Sequence, residues 1–191
     1  LIDEGYYIFR MGSKVSKKFQ IDNKKFIDYA TLGIRSDFLD IFLSANCDFF
    51  LSTACGLDSV AEMFDRPILM VNQSLVATIR STNKKHLTIP KHFESIAEQR
   101  KLNLSEIFEY NLALPSSHEI FENKKIKIKE NSPIEIKDAV IEMLKLKKNN
   151  FETLPSEKEI QEKFWKIYLH NIKKYNFSFY HSNFRKGKVG T

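Results

Sequence analysis

The chain has 191 residues, 42% of them hydrophobic, and a formal net charge of +6. That length and apolar content suffice for a buried core and exclude a chain disordered by composition. No apolar run approaches the ~20 residues of a membrane-spanning helix, and the Lys excess, denser after residue 120, favours anionic partners, with a solvated Lys-rich surface as the alternative that charge alone leaves open.

The two cysteines, Cys47 and Cys55, stand in apolar or small-residue surroundings and read as free thiols of a reducing cytoplasm. LIDEG at the start reads as a helix tail stopped by Gly5, and FRKGKVGT at the end closes no element. The expectation is a piece of a longer protein.

In chain order, residues 6–10 (YYIFR) predict a first strand, followed by Met11-Gly12-Ser13 and a basic loop. Residues 25–30 (KFIDYA) predict a second strand. Ser36 and Asp37 suit a helix start, and Phe38, Ile41, Phe42 and Ala45 supply an apolar face. Asp48 to Leu51 is a buried strand, and Ser52 to Gly56 a turn of small residues. Leu57, Val60, Ala61 and Phe64 recur at helical spacing. Pro67 ends that helix before the strand Ile68 to Val71. Strands alternating with helices predict an α/β fold, a Rossmann-like doubly wound parallel sheet followed by C-terminal helices.

Residues 73–85 predict a long polar loop and 86–90 a short extended piece. Residues 91–101 predict a helix through Phe93, Ile96 and Ala97, and 104–110 another, with Ser105 near its start. Residues 111–129 read as irregular, then extended. Ser132-Pro133-Ile134-Glu135 forms a capping box opening a long helix. Ser156 and Glu159 form a second, before a helix through Phe164 and Tyr168. Two units are expected: 1–150, nucleotide-sugar-binding, and 151–191, a long helix and tail. The aromatics there (Trp165, Tyr168, Tyr175, Phe177, Phe179, Tyr180, Phe184) are expected to pack on a domain outside this chain. No nucleic-acid motif accompanies them, so nucleic acid is disfavoured as a partner.

Ligands of an open parallel sheet gather beyond the C-terminal ends of its strands. There the sequence places Arg10, Met11 and Gly12, then Asp28 and Tyr29, then Ser52, Thr53, Gly56, Asp58 and Ser59, then Asn72 and Gln73. Hydroxyls and a helix start suit a phosphate. Arg10 can pair a phosphate or a nearby carboxylate, Tyr29 can stack on a base or fill the core, and Ser52 and Thr53 can serve ordinary turn chemistry. Neither a Walker A loop nor GxGxxG is present, and none of the five histidines has zinc-ligand spacing. His86 and His92, flanking Pro90, suit either acid/base work or an idle surface position.

GYYIFRMG, KFIDYA and RSDFLDIFLSANCDFFLSTACGLDSVAEMFDRPILMVN together resemble the C-terminal half of a group of bacterial glycosyltransferases of the GT-B type, found among surface-polysaccharide genes. The resemblance covers residues 1–95 well and the rest more loosely, and LSTACGLDSVAEMFDRP is its most specific part. It implies two Rossmann-like domains, the donor held by the C-terminal one, and transfer with no metal and no cofactor. It assigns Arg10, Gly12, Ser52, Thr53, Gly56, Leu57, Asp58 and Ser59 to the donor's phosphates and sugar, and Asp28 and Tyr29 to its base and ribose. The acidic residue that often grips the ribose has no match, Glu62 being a displaced stand-in. The catalytic base is expected outside this chain. The implied partners are a nucleotide-sugar donor, a glycan or lipid-linked acceptor and an anionic membrane surface, which places the protein in the cytoplasm beside the inner membrane. An epimerase or hydrolase of sugar nucleotides on the same fold is the alternative enzyme, and a non-catalytic nucleotide or nucleic-acid module the alternative outside enzymes.

Overall fold

The computed structural model describes residues 1–79, 83–177 and 188–189. The first two strands, β1 (Ile8–Phe9) and β2 (Phe26–Ile27), pair in parallel in a small sheet of their own. A single-turn 3-10 helix, Tyr29–Thr31, follows, then helix α1 (Asp37–Asn46). Strand β3 (Phe50–Ser52), helix α2 (Gly56–Met63), strand β4 (Ile68–Gln73) and strand β5 (Leu87–Pro90) come next. Then come β6 (His92–Ser95), β7 (Arg100–Lys101), α3 (Leu104–Glu109), α4 (Glu119–Asn123) and β8 (Ile126–Lys129). The long helices α5 (Pro133–Lys148) and α6 (Pro155–Lys174) precede a last strand, β9 (Lys188–Val189).

The central sheet is all parallel, in the order β3-β4-β5-β9. Its inner strand β4 is apolar on both faces because helices cover both, whereas Leu51 of β3, expected in a buried strand, is exposed. Leu69, Val71, Leu87 and Ile89 meet Ala139, Met143 and Leu146 of α5 on one side. Phe50, Ile68 and Met70 meet Ala61 of α2 on the other. Fully burying a side chain such as Leu69 or Leu87 stabilises the fold by about 1.5–3 kcal/mol. The fold is thus mixed α/β with parallel sheets. The expectation of one continuous sheet needs correction: β1 and β2, two residues each, join the central sheet by packing, not by a hydrogen-bonded ladder. Tyr6, just before β1, meets Phe49, just before β3, edge-on at 6.4 Å.

Residues 91–101 are not a helix. His92 to Ser95 alternates in exposure, burying Phe93 and Ser95, and β6 pairs antiparallel with β7 and β8. Ile96, expected on a helix face, is exposed at the hairpin end. The stretch before β8 holds the short helix α4. Asn103 caps α3, with Glu106 answering its backbone amide. The Ser132–Glu135 capping box forms as expected. The one expected at Ser156 does not: Pro155 takes the first helical position of α6 and Leu154 the cap.

Of the expected apolar face of α1, only Ala45 is buried. Phe38, Ile41 and Phe42 are exposed, while Asp40, Ser44 and Ala45 are buried. The helix start is tethered in that rotation. Ser36 caps it through Leu39 N, the Tyr29 hydroxyl accepts from Ser36 N at 3.2 Å, and Arg35 pairs with Asp40 at 2.6 Å.

The aromatic face of α6 packs on this chain's own core. Trp165, Tyr168 and Ile172 are buried with Val76, Ala77 and Phe108, and Tyr175 and Phe177 pack against the same cluster. The Tyr168 ring meets Phe108 edge-on, and its hydroxyl donates to the Ala77 carbonyl at 3.0 Å. Of that expected interface, Phe179, Tyr180 and Phe184 lie outside the described residues.

Candidate functional site

The turn between β3 and α2 is built by one buried carboxylate. Asp58, third residue of α2, accepts from the Ser52 hydroxyl at 2.7 Å and from Cys55 N at 2.8 Å. Its own amide donates to the Cys55 sulfur, closing a capping box. The Ser52 oxygen accepts from Ala54 N at 3.1 Å, which holds Ala54 at a φ of 67°. Ser52 and Asp58, expected at the donor's phosphates and sugar, are bonded to each other and form the turn's scaffold. Both are buried, and their polar atoms face each other.

The same turn leaves Thr53, Gly56 and Ser59 exposed and Leu57 half-buried. Gly56 and Leu57 are the first two residues of α2, and no acceptor for their amides is found among the described residues. A Cβ built on Gly56 meets nothing within 4 Å. Two amides with no described acceptor thus stand at the positive end of a helix dipole, with open space at the Gly56 Cβ position. Asp58 offsets part of that dipole, so the end is a weaker anion site than an uncapped one.

Arg10 and Asp28, expected at opposite ends of a donor, are paired with each other. Arg10 Nη1 lies 3.1 Å from Asp28 Oδ1 and donates to the Lys17 carbonyl at 2.7 Å. Its guanidinium covers the Phe19 ring at 4.4 Å. Asp28 also accepts from Phe19 N at 3.0 Å. Burial pushes the Asp28 carboxyl up, but the Phe19 amide, Thr31 and Arg10 together hold it below its ordinary value. The pair fastens the basic loop after β1 to the end of β2. Tyr29 is 1% exposed, so no ring face is left for a base, and its hydroxyl serves the start of α1. Gly12 answers a local need: its φ of 147° favours glycine, and a Cβ there would meet Val15 at 3.1 Å.

The C-terminal ends of β4 and β5 are held by a part of the chain that sequence reasoning missed. Asn131, just before α5, accepts from Asn72 N at 2.7 Å, and its amide donates to Asn72 Oδ1 at 2.6 Å. Its side chain also donates to the Pro90 carbonyl at 2.8 Å. Asn72 has a φ of 55°, a conformation asparagine tolerates. This clamp sets the start of α5 on the sheet's C-terminal edge. Glu135 there reaches back to His92, Oε1 to Nε2, at 2.6 Å. The adjacent Gln73 is buried, with no partner for its Oε1 among the described residues. His86, by contrast, is buried rather than at the surface. The Asn131 contacts join residues 41 and 59 positions apart, so no local pattern announces them.

Among the described residues, no three His, Cys, Asp or Glu side chains converge as a metal site, and no helix is long and apolar enough to cross a membrane. Comparison with protein-family models, curated proteins and solved structures finds no match for the chain.

Proposed function

We propose that the chain is the donor-binding half of a GT-B-type glycosyltransferase, moving a sugar from a nucleotide sugar to a cell-surface glycan or lipid-linked acceptor. The observation that carries this is the turn from Thr53 to Ser59, with open space beside Gly56 and no described acceptor for the Gly56 and Leu57 amides, at the C-terminal edge of a parallel sheet. The Rossmann-like reading rests on the same sheet, with α2 and α5 on its two faces. In this reading the amides of Gly56 and Leu57 and the hydroxyls of Thr53 and Ser59 hold the donor's diphosphate. The bond from the anomeric carbon to the diphosphate breaks as the acceptor oxygen bonds to that carbon. The amides and the helix dipole stabilise the charge left on the diphosphate. Arg10 and Asp28 shape the neighbouring loop, and the base that takes the acceptor's proton lies outside this chain. The cytoplasmic side of the inner membrane suits such a reaction, with the Lys-rich surface toward anionic lipid.

A thermal-shift screen with UDP-glucose, dTDP-glucose and GDP-mannose tests this, because a ligand that binds the folded state raises its melting temperature by mass action. Gly56→Glu is the companion variant. Acidic side chains suit a helix start and the space is open, so the fold survives. The added charge repels phosphate, and the response disappears. No response of the wild-type chain to any of the three sinks the reading.

A further inference from the structure

The loop between β1 and β2 gathers uncompensated positive charge around exposed apolar side chains. Residues 14–25 hold Lys14, Lys17, Lys18, Lys24 and Lys25 against one acid, Asp22. None of these lysines has an ion-pair partner among the described residues, whereas Lys85, Lys91, Lys129 and Lys147 each have one. Between them Phe19 is 54% exposed and Ile21 50%. Val15 of the same loop instead folds back toward Gly12.

The loop is held in this display by its backbone. The Lys17 carbonyl accepts from Arg10 at 2.7 Å, the Phe19 amide donates to Asp28 at 3.0 Å, and Arg10 lies over one face of the Phe19 ring at 4.4 Å. The Phe26 amide donates to the Asn23 carbonyl at 2.9 Å, which closes the turn into β2. A loop fixed beforehand loses less freedom when it binds. Its charge fits an anionic surface, and its apolar side chains select among such surfaces. Anionic headgroups attract each nearby lysine by about 1 kcal/mol, and side chains such as Phe and Ile enter the acyl boundary. A nucleic acid would meet the same lysines and leave Ile21 in water, since stacking uses aromatic rings.

We propose that the loop from Lys14 to Lys25 docks the protein on an anionic bilayer, with Phe19 and Ile21 inserted among the headgroups. This extends the membrane side of the reading above. Vesicle binding is measured without donor, so either can fail alone.

Co-sedimentation of the full chain with phosphatidylcholine vesicles, with or without phosphatidylglycerol, tests it. Binding is expected only where phosphatidylglycerol is present, and it weakens as salt rises. The triple variant Lys14→Gln, Lys17→Gln, Lys18→Gln should bind about 100-fold more weakly. Helix α6 supplies the control. Its Gln161 bonds to Val189 at the β9 edge of the central sheet, whereas β1 starts beside Phe49 at the β3 edge. Lys158→Gln, Lys163→Gln, Lys166→Gln removes the same charge there and should cost less than about threefold. Ile21→Ser should weaken binding about fivefold. Ile21→Trp should shift its emission to the blue on the anionic vesicles, against the buried Trp165. Equal losses from the two lysine sets, an Ile21→Trp emission that does not move, or no vesicle binding at all overturns the proposal. Binding of poly-dT through Lys14, Lys17 and Lys18 with vesicles unbound overturns it in favour of nucleic acid. Melting temperatures establish that each variant is folded.

Discussion

The Ser52 hydroxyl donates to Asp58 Oδ2 at 2.7 Å, and both side chains are buried. One proton thus links the last residue of β3 to the third of α2, and the turn between them inherits its shape. Ser52→Ala removes a donor from a buried carboxylate and the acceptor for Ala54 N. A buried group left without its partner costs about 1–3 kcal/mol. The expected result is a loss in that range in urea unfolding, with the slope unchanged. A neutral Ser52→Ala would mean that the turn does not depend on this bond.

Asn131 does similar work for the other strands. Asn131→Ala takes the acceptor from Asn72 N and the donor from the Pro90 carbonyl. With two half-buried backbone groups released, we expect a loss of about 1–3 kcal/mol. Asn131→Asp keeps the acceptor and loses only the donor, so it should fall between the wild type and Asn131→Ala. Equal losses for the two variants would assign the effect to something other than these bonds.

What the sequence showed and hid follows from the range of the forces involved. The Ser132–Glu135 box was legible because its partners are three residues apart, and the apolar run of β4 because both its faces are covered. The hairpin at 92–101 was not. Its residues alternate for too few positions to outweigh helical spacing, and β8, its partner, lies some thirty residues on. The site divided likewise. The small residues from Ser52 to Gly56 located a turn, but which side chains point inward depends on the Asp58 staple. Arg10 has two partners of equal plausibility on paper, and only the fold brings Asp28 to it.

The rotation of α1 reverses an ordinary expectation. Phe38 is 72% exposed and stacks on Phe42, whereas Ala45 is 6% exposed. Phe38→Ser should therefore change stability by less than about 0.5 kcal/mol. Ala45→Leu, which overfills a closed space, should cost about 1–3 kcal/mol. Thermal unfolding of the two variants gives the order, and a costlier Phe38→Ser would place that ring inside.

Acid should act through Glu106. Two bonds from Arg100, at 2.6 and 2.8 Å, and then the Asn103 amide lower its carboxyl from 4.5 to about 2. A carboxyl lowered by folding stabilises at pH above its unfolded value and loses that contribution as pH falls toward its folded one. Here the window runs from 4.5 down to about 2. Glu106→Gln keeps a capping side chain but does not titrate, so its urea midpoint should fall less steeply across that window. A slope equal to the wild type's would remove Glu106 as an acid sensor.

Alkali should act through Tyr168. Its hydroxyl is buried and donates to the Ala77 carbonyl at 3.0 Å, and burial pushes its ionisation well above the ordinary 10.0. A group raised in this way stabilises fully below its unfolded value, and the contribution is lost as pH climbs past it. Tyr168→Phe removes both the bond and the titration. Near neutral pH the variant should be less stable by about 1 kcal/mol, a shift of roughly 2–4 °C in Tm. Above about pH 10, where an unfolded tyrosine ionises, the gap should shrink, because the wild type alone keeps losing stability from this residue. A gap that holds constant up to the alkaline transition would show that Tyr168 ionises as readily folded as unfolded, and that its ring is not sealed between Phe108 and Trp165.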